Sequence, residues 1–284
     1  MKIAKLLVLS ALWLVAGSAM ALDDVRQKPA LPKTQGFVES ESTDTYYYLF
    51  NVQAEKFFTE GNAWGTQVSL GETGLKASFV PDGGAYLFND FSVSKNAWKL
   101  VFFDNENQMF VDLGSQANYR WGVENNGATF RLYAASAEEG NPGWDDGAKP
   151  AYREGQYMGW VKGSASTACV PYLPVEEGNC IDWAFVAPED YDPYAEGIAL
   201  YNAGHALKEV IENAEGLGAN VADALAIYNN LASTVDEMNA AGEKLKPIIT
   251  SREALKKALD EAKAAGFAAT ADYDAVYADR KSVV

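Results

Sequence analysis

Tyr46-Tyr47-Tyr48-Leu49-Phe50-Asn51-Val52 is a run of aromatic and branched side chains too short for a helix of ordinary length, and it reads as a buried β-strand. Similar short runs follow at Trp98 to Phe103, Phe130 to Tyr133 and Tyr157 to Val161. Clusters of Gly, Asn and Asp separate them and mark turns. Short strands at this spacing predict a barrel or a sandwich. Aromatic positions then suggest triplication. Phe50, Phe103 and Trp160 are spaced 53 and 57 residues, and Phe79, Phe130 and Phe185 are spaced 51 and 55. Within each unit the two aromatics lie 29, 27 and 25 residues apart. Three near-equal units of strands imply packing about a pseudo-threefold axis.

Outward from this core the composition changes. Trp64, Trp98, Trp121, Trp144, Trp160 and Trp183 all precede residue 184, as do most of the prolines. From about residue 195 the chain is rich in Ala, Leu, Glu and Lys and holds only Pro247, the profile of helices. Ala187-Pro188-Glu189-Asp190-Tyr191-Asp192-Pro193 is the expected boundary. Leu207, Val210, Ile211 and Ala214 recur at i, i+3, i+4 and i+7, as do Leu255, Ala258, Leu259 and Ala262. Gly216 and Gly218 can end the first of these helices. Thr234 with Glu237, and Thr250 with Glu253, have capping-box spacing, so each predicts a helix start. Met238, Ala241, Leu245 and Ile248 would form the inward face of the helix begun at Thr234, which Pro247 should end or bend.

The two ends of the chain carry their own signals. Lys2 and Lys5 precede an apolar stretch from Leu6 to Val15, and Ala19-Met20-Ala21 supplies the small residues read by a signal peptidase, so residues 1–21 are expected to be a cleavable leader. The product would be secreted, periplasmic or held at the cell surface. Ala206-Leu207-Lys208 recurs as Ala254-Leu255-Lys256, 48 residues on, and the second copy stops at Val284 before the helix that follows the first. The chain is therefore expected to be the front end of a longer protein.

Charge excludes one large class of partners. The 284 residues hold 39 acidic and 23 basic side chains, and loss of the leader takes the net charge from −16 to −18. Such a surface repels phosphate backbones, so nucleic acid is not expected as a partner. No apolar run reaches the roughly 18 to 20 residues that a membrane helix needs. Cys169 and Cys180, eleven positions apart in an exported chain, are expected to form a disulfide, with two buried thiols as the other reading.

Residues 44 to 192, with Tyr48-Leu49-Phe50-Asn51-Val52, Lys56-Phe57-Phe58-Thr59 and Gly61-Asn62-Ala63-Trp64-Gly65-Thr66, resemble the ricin-type β-trefoil modules of secreted gut-bacterial proteins. The Gln-x-Trp triplet of the lectin members is missing. Residues 195 to 249, with Tyr228-Asn229-Asn230-Leu231-Ala232-Ser233-Thr234-Val235-Asp236-Glu237, resemble FIVAR-type three-helix repeats of bacterial surface proteins. The second resemblance implies a spacer or a sugar-associated module. The expected architecture is multidomain, all-β plus all-α. It comprises a leader (1–21), an N-terminal extension (22–43), a β-trefoil-like barrel (44–192), a three-helix bundle (195–249) and a partial second helical repeat (250–284).

Catalytic machinery is not evident. His205 has no serine or cysteine nucleophile placed beside it by local sequence and reads as a helix-surface or half-buried residue. Glu138-Glu139, Asp145-Asp146, Glu176-Glu177 and Glu189-Asp190 are sequence neighbours, whereas a glycosidase needs carboxylates facing each other across a cleft. No metal ligand set or cofactor motif stands out, so neither is expected. An exposed aromatic ring flanked by Asp or Asn suits the C–H face and hydroxyls of a sugar. Trp144 with Asp145 and Asp146 is the first candidate, and Trp64 with Asn62 the second. The expected function is a non-enzymatic accessory or adhesion module that binds an extracellular glycan or a cell-surface protein. The alternative is the front part of a secreted glycan-degrading enzyme whose catalytic domain lies elsewhere.

Overall fold

The computed structural model of the chain describes residues 22–42, 44–60, 67–90, 99–103, 108–112, 120–135 and 154–266. The expected leader, residues 61–66 with Asn62 and Trp64, residues 136–153 with Trp144, Asp145 and Asp146, and the tail from 267 lie outside them. The chain divides into two compact units, one of residues 29–198 and one of residues 1–28 with 199–284.

Thirteen strands occur in the first unit among the described residues: β1 (Tyr47–Asn51), β2 (Lys56–Glu60), β3 (Val68–Gly71), β4 (Lys76–Asp82), β5 (Ala85–Asp90), β6 (Lys99–Phe103) and β7 (Gln108–Asp112), then β8 (Arg120–Asn126), β9 (Thr129–Ala134), β10 (Gln156–Val161), β11 (Val170–Pro174), β12 (Asn179–Cys180) and β13 (Trp183–Val186). Six of them close a ring. Antiparallel ladders run β1 to β4, β4 to β5, β5 to β8, β8 to β9, β9 to β13 and β13 back to β1. Closure removes the unpaired edges that an open sheet would expose. One two-residue barrel hairpin follows from sequence: Asp82 pairs with Ala85 across Gly83-Gly84, whose φ of 58° and 86° is the left-handed pair a turn of this kind requires. Outside the ring, β2 pairs with β3 and β6 with β7, while β10 lies between β11 and β12 in a small separate sheet.

The barrel interior is aromatic. Phe79, Phe88, Phe130, Phe185, Trp121 and Trp183 are fully buried, together with Leu49, Leu132 and Met158. Trp160 is only partly buried, its indole N–H donating to the Ser166 carbonyl at 2.7 Å. The aromatics whose spacing suggested triplication do not occupy equivalent strands. Phe50 is on β1 whereas Phe103 and Trp160 are on β6 and β10; Phe79 and Phe185 are on β4 and β13 whereas Phe130 is on β9.

Residues ahead of β1 belong to the barrel. Gln35 exchanges two 2.8 Å backbone hydrogen bonds with Phe185, and Ser40 accepts from Phe79 N at its Oγ while donating its own N–H to the Phe79 carbonyl. Phe37 between them packs its ring against Phe79, Tyr86, Phe130 and Phe185 at centroid distances of 4.9–5.7 Å. It stoppers the aromatic core.

The expected disulfide is absent: Cys169 and Cys180 are both free and buried. Gly159 of β10 pairs with Val170, next to Cys169, on one side, and Trp160 pairs with Cys180 on the other. A strand therefore separates the two cysteines. Two inter-strand spacings exceed the roughly 4.4–6.8 Å between Cα atoms that a disulfide spans.

Among the described residues three helices follow: α1 (Pro188–Gly216), α2 (Ala222–Asn229) and α3 (Val235–Ala264). The stretch read as a boundary is the opening turn of α1. Tyr191, Tyr194 and Ile198, at i, i+3 and i+7, cover Tyr48, Phe50 and Phe57 on the outer face of β1 and β2. Leu207, Ile211 and Ala214 face Tyr228, Met238, Ala241 and Leu245 in the second unit. Gly218, at φ 79°, donates to the Glu215 carbonyl and ends α1. The Thr234 capping box is formed in both directions. Pro247, by contrast, does not end α3, and no helix begins at Thr250. The Thr250 hydroxyl instead donates back to the Lys246 carbonyl within one continuous helix. Proline costs about 3 kcal/mol inside a helix. Leu245 before it and Ile248 and Ile249 after it all pack against the core of the helical unit, burial that offsets part of that cost. Among the described residues no helix is long and apolar enough to cross a membrane.

Candidate functional site

Strand alternation sets out the site. Along β9, Phe130, Leu132 and Ala134 are buried in the barrel, so Thr129, Arg131 and Tyr133 face outward. Register places Glu124 of β8 opposite Arg131, and Gly122 opposite Tyr133. A Cβ on Gly122 would stand 2.0 Å from Tyr133 Cζ, so the phenol ring lies against the bare backbone of β8. Glycine makes that approach possible.

A polar chain runs along this wall. Arg131 Nε donates to Asp182 Oδ1 at 2.7 Å, and its Nη1 lies 3.8 Å from Glu124 Oε1. Tyr157 of β10 donates its hydroxyl to Glu124 Oε2 at 2.6 Å, while the guanidinium carbon of Arg131 stands 5.3 Å from the Tyr157 ring centroid. Hydrogen bonding to Glu124, then burial, pushes the Tyr157 hydroxyl above its ordinary range. The Asp182 carboxylate likewise raises Arg131. Tyr157, Leu173 and Ile181 form a small apolar cluster beneath, with Tyr133 packed on it. The wall is held from both sides.

Val123, Glu124, Tyr133, Gly155, Gln156 and Tyr157 line a cleft of about 190 Å³ beside this chain. It is smaller than the ~300–1,000 Å³ sites of drug-sized ligands, which suits a single ring. The Tyr157 hydroxyl and Arg131 are already engaged, whereas half of the Glu124 side chain is solvent-accessible and Gln156 offers both an amide donor and an acceptor. The cleft can therefore accept from hydroxyls against an aromatic wall. A wider trough of about 400 Å³ lies elsewhere in the unit, between Gln35, Asp44, Thr45, Tyr46, Tyr47 and Glu189. It is open and lined mainly by polar surface.

None of these lining residues stands out in the sequence. Tyr133 and Tyr157 read there only as strand formers; the available signal was the outward phase of Arg131 and Tyr133 between buried Phe130, Leu132 and Ala134. Trp144, Asp145 and Asp146, and Asn62 and Trp64, fall outside the described residues. Segment 136–153, which carries Trp144, joins β9 to the turn before β10, whose Gly155 and Gln156 line the cleft. His205 is on α1, with Nε2 3.5 Å from Glu209 and its ring 6.0 Å from that of Tyr201. Among the described residues no three His, Cys, Asp or Glu side chains gather in a way that could hold a metal ion.

No protein-family model and no curated protein matches the sequence. Solved structures show distant likeness. Lysenin in complex with phosphocholine is 11% identical with a TM-score of 0.37, over 54% of this chain and 46% of that one. The lysenin pore is 11% identical at 0.37, over 56% and 50%. A GlcNAcα1-4Gal-releasing endo-β-galactosidase from Clostridium perfringens is 14% identical at 0.36, over 50% and 32%. The chain thus spans half or less of the length of these proteins.

Proposed function

We propose that residues 29–198 form a β-trefoil module of an exported, non-enzymatic accessory or adhesion protein, which binds a glycan at the outer wall of β8, β9 and β10 while the helical unit serves as spacer. Support for the trefoil comes from topology. In each third of the unit a barrel strand leads into an excursion outside the ring and returns as a second barrel strand: β1 to β4, β5 to β8, β9 to β13. That alternation supports a reading of three units, although the aromatics whose spacing suggested it do not mark equivalent strands.

The observation that carries the glycan reading is the cleft in which the Tyr133 ring stands beside Glu124 and Gln156. An aromatic wall takes the C–H face of a sugar while a carboxylate and an amide take its hydroxyls. The Tyr157–Glu124 bond fixes the carboxylate in advance, which lowers the ordering cost of binding. Glycan-array binding by the exported chain tests this. Tyr133→Ala and Glu124→Gln should each abolish the signal in a chain that keeps its circular dichroism spectrum, Glu124→Gln at a modestly lower thermal midpoint because Tyr157 and Arg131 lose a charged partner. A wild-type chain that binds no glycan would overturn the reading in favour of a protein partner.

A further inference from the structure

Residues 22–28 are strapped onto the helical unit. Arg26 donates from Nη1 to the Tyr228 carbonyl at 2.7 Å and from Nη2 to the Asn230 carbonyl at 2.8 Å. Its Cδ crosses α1 at Gly204, where a Cβ would stand only 2.9 Å away. The Tyr228 hydroxyl donates to the Asp23 carbonyl at 2.8 Å, and Lys208 Nζ lies 2.7 Å from Asp24 Oδ1. Leu22 and Val25 pack against the core around Leu207 and Tyr228. Finally, Leu22 N donates to Glu212 Oε1 at 2.9 Å.

That last contact falls on the bond after Ala21, where the leader is expected to be cut. We propose that Leu22 is the first residue of the mature chain and that the α-ammonium freed there docks on the Glu212 carboxylate, so that leader removal completes the helical unit. Signal peptidase adds water across the Ala21–Leu22 amide. Ala21 leaves with a carboxylate, and Leu22 keeps an amine that takes up a proton at neutral pH. The amide that already donates to the Glu212 carboxylate becomes an ammonium, which adds attraction between opposite charges to that hydrogen bond. Glu212 is the fitting partner because Lys208, the cation one turn before it on α1, is engaged by Asp24. The strap then closes at its first atom as well as along its length.

The inference rests on the export part of the proposed function and is independent of glycan binding. The groups facing the new terminus are Glu212, Lys208 and His205 on α1, Tyr228 on α2, and Asp23 and Asp24 of the strap itself. A carboxylate partner holds an amine protonated above the ordinary α-amino range of about 7.7–8.0. The test is to express the full chain in a bacterium with general secretion, identify its N-terminal residue by mass spectrometry, and follow α-amine acylation against pH. The mature chain should begin at Leu22 and react at pH 7 at least about threefold more slowly than Glu212→Gln, the equivalent of half a pKa unit. A chain carrying one extra glycine ahead of Leu22 should react like Glu212→Gln, which keeps the test open if that variant misfolds. An unprocessed chain would sink the export reading as well. A chain processed at another bond, or equal acylation rates in the three proteins, would overturn the docking alone.

Discussion

Arg131 on β9 and Asp182 at the foot of β13 form a 2.7 Å ion pair whose side chains are only 18% and 19% exposed. The pair ties β9 to the point where the barrel closes, because Asp182 N also donates to Gln53 Oε1 just past β1. Breaking it from either side leaves a charge in a half-desolvated place. Arg131→Met, which strands both Asp182 and Glu124, should cost about 2–3 kcal/mol, and Asp182→Asn about 1–2 kcal/mol. A double-mutant cycle by urea denaturation measures the coupling between them.

Tyrosines set the alkaline limit. Burial raises the Tyr48 hydroxyl well above its ordinary range, with Tyr191, stacked on it at 3.3 Å, adding to the shift. Burial likewise raises Tyr191 and Tyr86. A folded-state pKa above the unfolded value means that stability is fully present below the unfolded pKa, near 10, and is lost as pH rises through the folded one. Chemical denaturation at stepped pH should show these groups contributing no slope from pH 7 to 9 and a decline above about 10. Tyr48→Phe should flatten that decline.

Thiol chemistry should follow the strand order. With β10 between them, Cys169 and Cys180 cannot bridge, and burial pushes both thiols up, away from the reactive thiolate. Thiol titration without reductant should find neither group in the native protein and both in denaturant. Reductant should leave the thermal midpoint unchanged. Finding no free thiol in the denatured, unreduced chain would mean that the strands had paired differently.

What the sequence disclosed, and what it hid, follows the range of the interactions. The Thr234–Glu237 capping box and the Leu207, Ile211, Ala214 stripe are set within two turns of helix and were legible. A barrel of short strands was legible too, from the aromatic and branched runs between turn residues, whereas the near-equal spacing of Phe50, Phe103 and Trp160 was no guide, since those residues sit on strands of different place in the unit. The second capping-box spacing misled because Thr250 with Glu253 lies inside a helix already running from Val235, where the Thr250 hydroxyl bonds back to the Lys246 carbonyl. The cysteines misled because eleven residues of separation say nothing of the strand that intervenes. The candidate site was hidden for a similar reason: Glu124 meets Tyr157 across 33 residues and Arg131 meets Asp182 across 51.

The segment ahead of β1 is open to a direct test. Phe37 touches four aromatic rings of the barrel interior while remaining partly exposed, so Phe37→Ala should cost about 2–3 kcal/mol, somewhat less than a fully buried phenylalanine. Urea unfolding checks the value. A loss below about 0.5 kcal/mol, the size of an ordinary surface change, would show that the barrel closes without its stopper.

Two glycines should behave oppositely. At Gly159 a Cβ would meet the Cys180 carbonyl oxygen at 2.4 Å, and backbone cannot swing aside. Gly159→Ala must therefore push β12 off β10 and disturb the hydrogen bond from Asn51 Nδ2 to that same carbonyl, at a cost of about 2–3 kcal/mol. At Gly122 the obstacle is the far end of the Tyr133 side chain, at 2.0–2.5 Å, which can rotate away. Gly122→Ala should cost less than about 1 kcal/mol, because the displaced ring lies on the surface of the unit. Yet it should remove the aromatic wall of the cleft, so glycan binding should fall as far as in Tyr133→Ala. Urea unfolding and glycan binding measured on both variants separate the two roles: a Gly122→Ala protein that binds normally would show that the Tyr133 ring is packing alone.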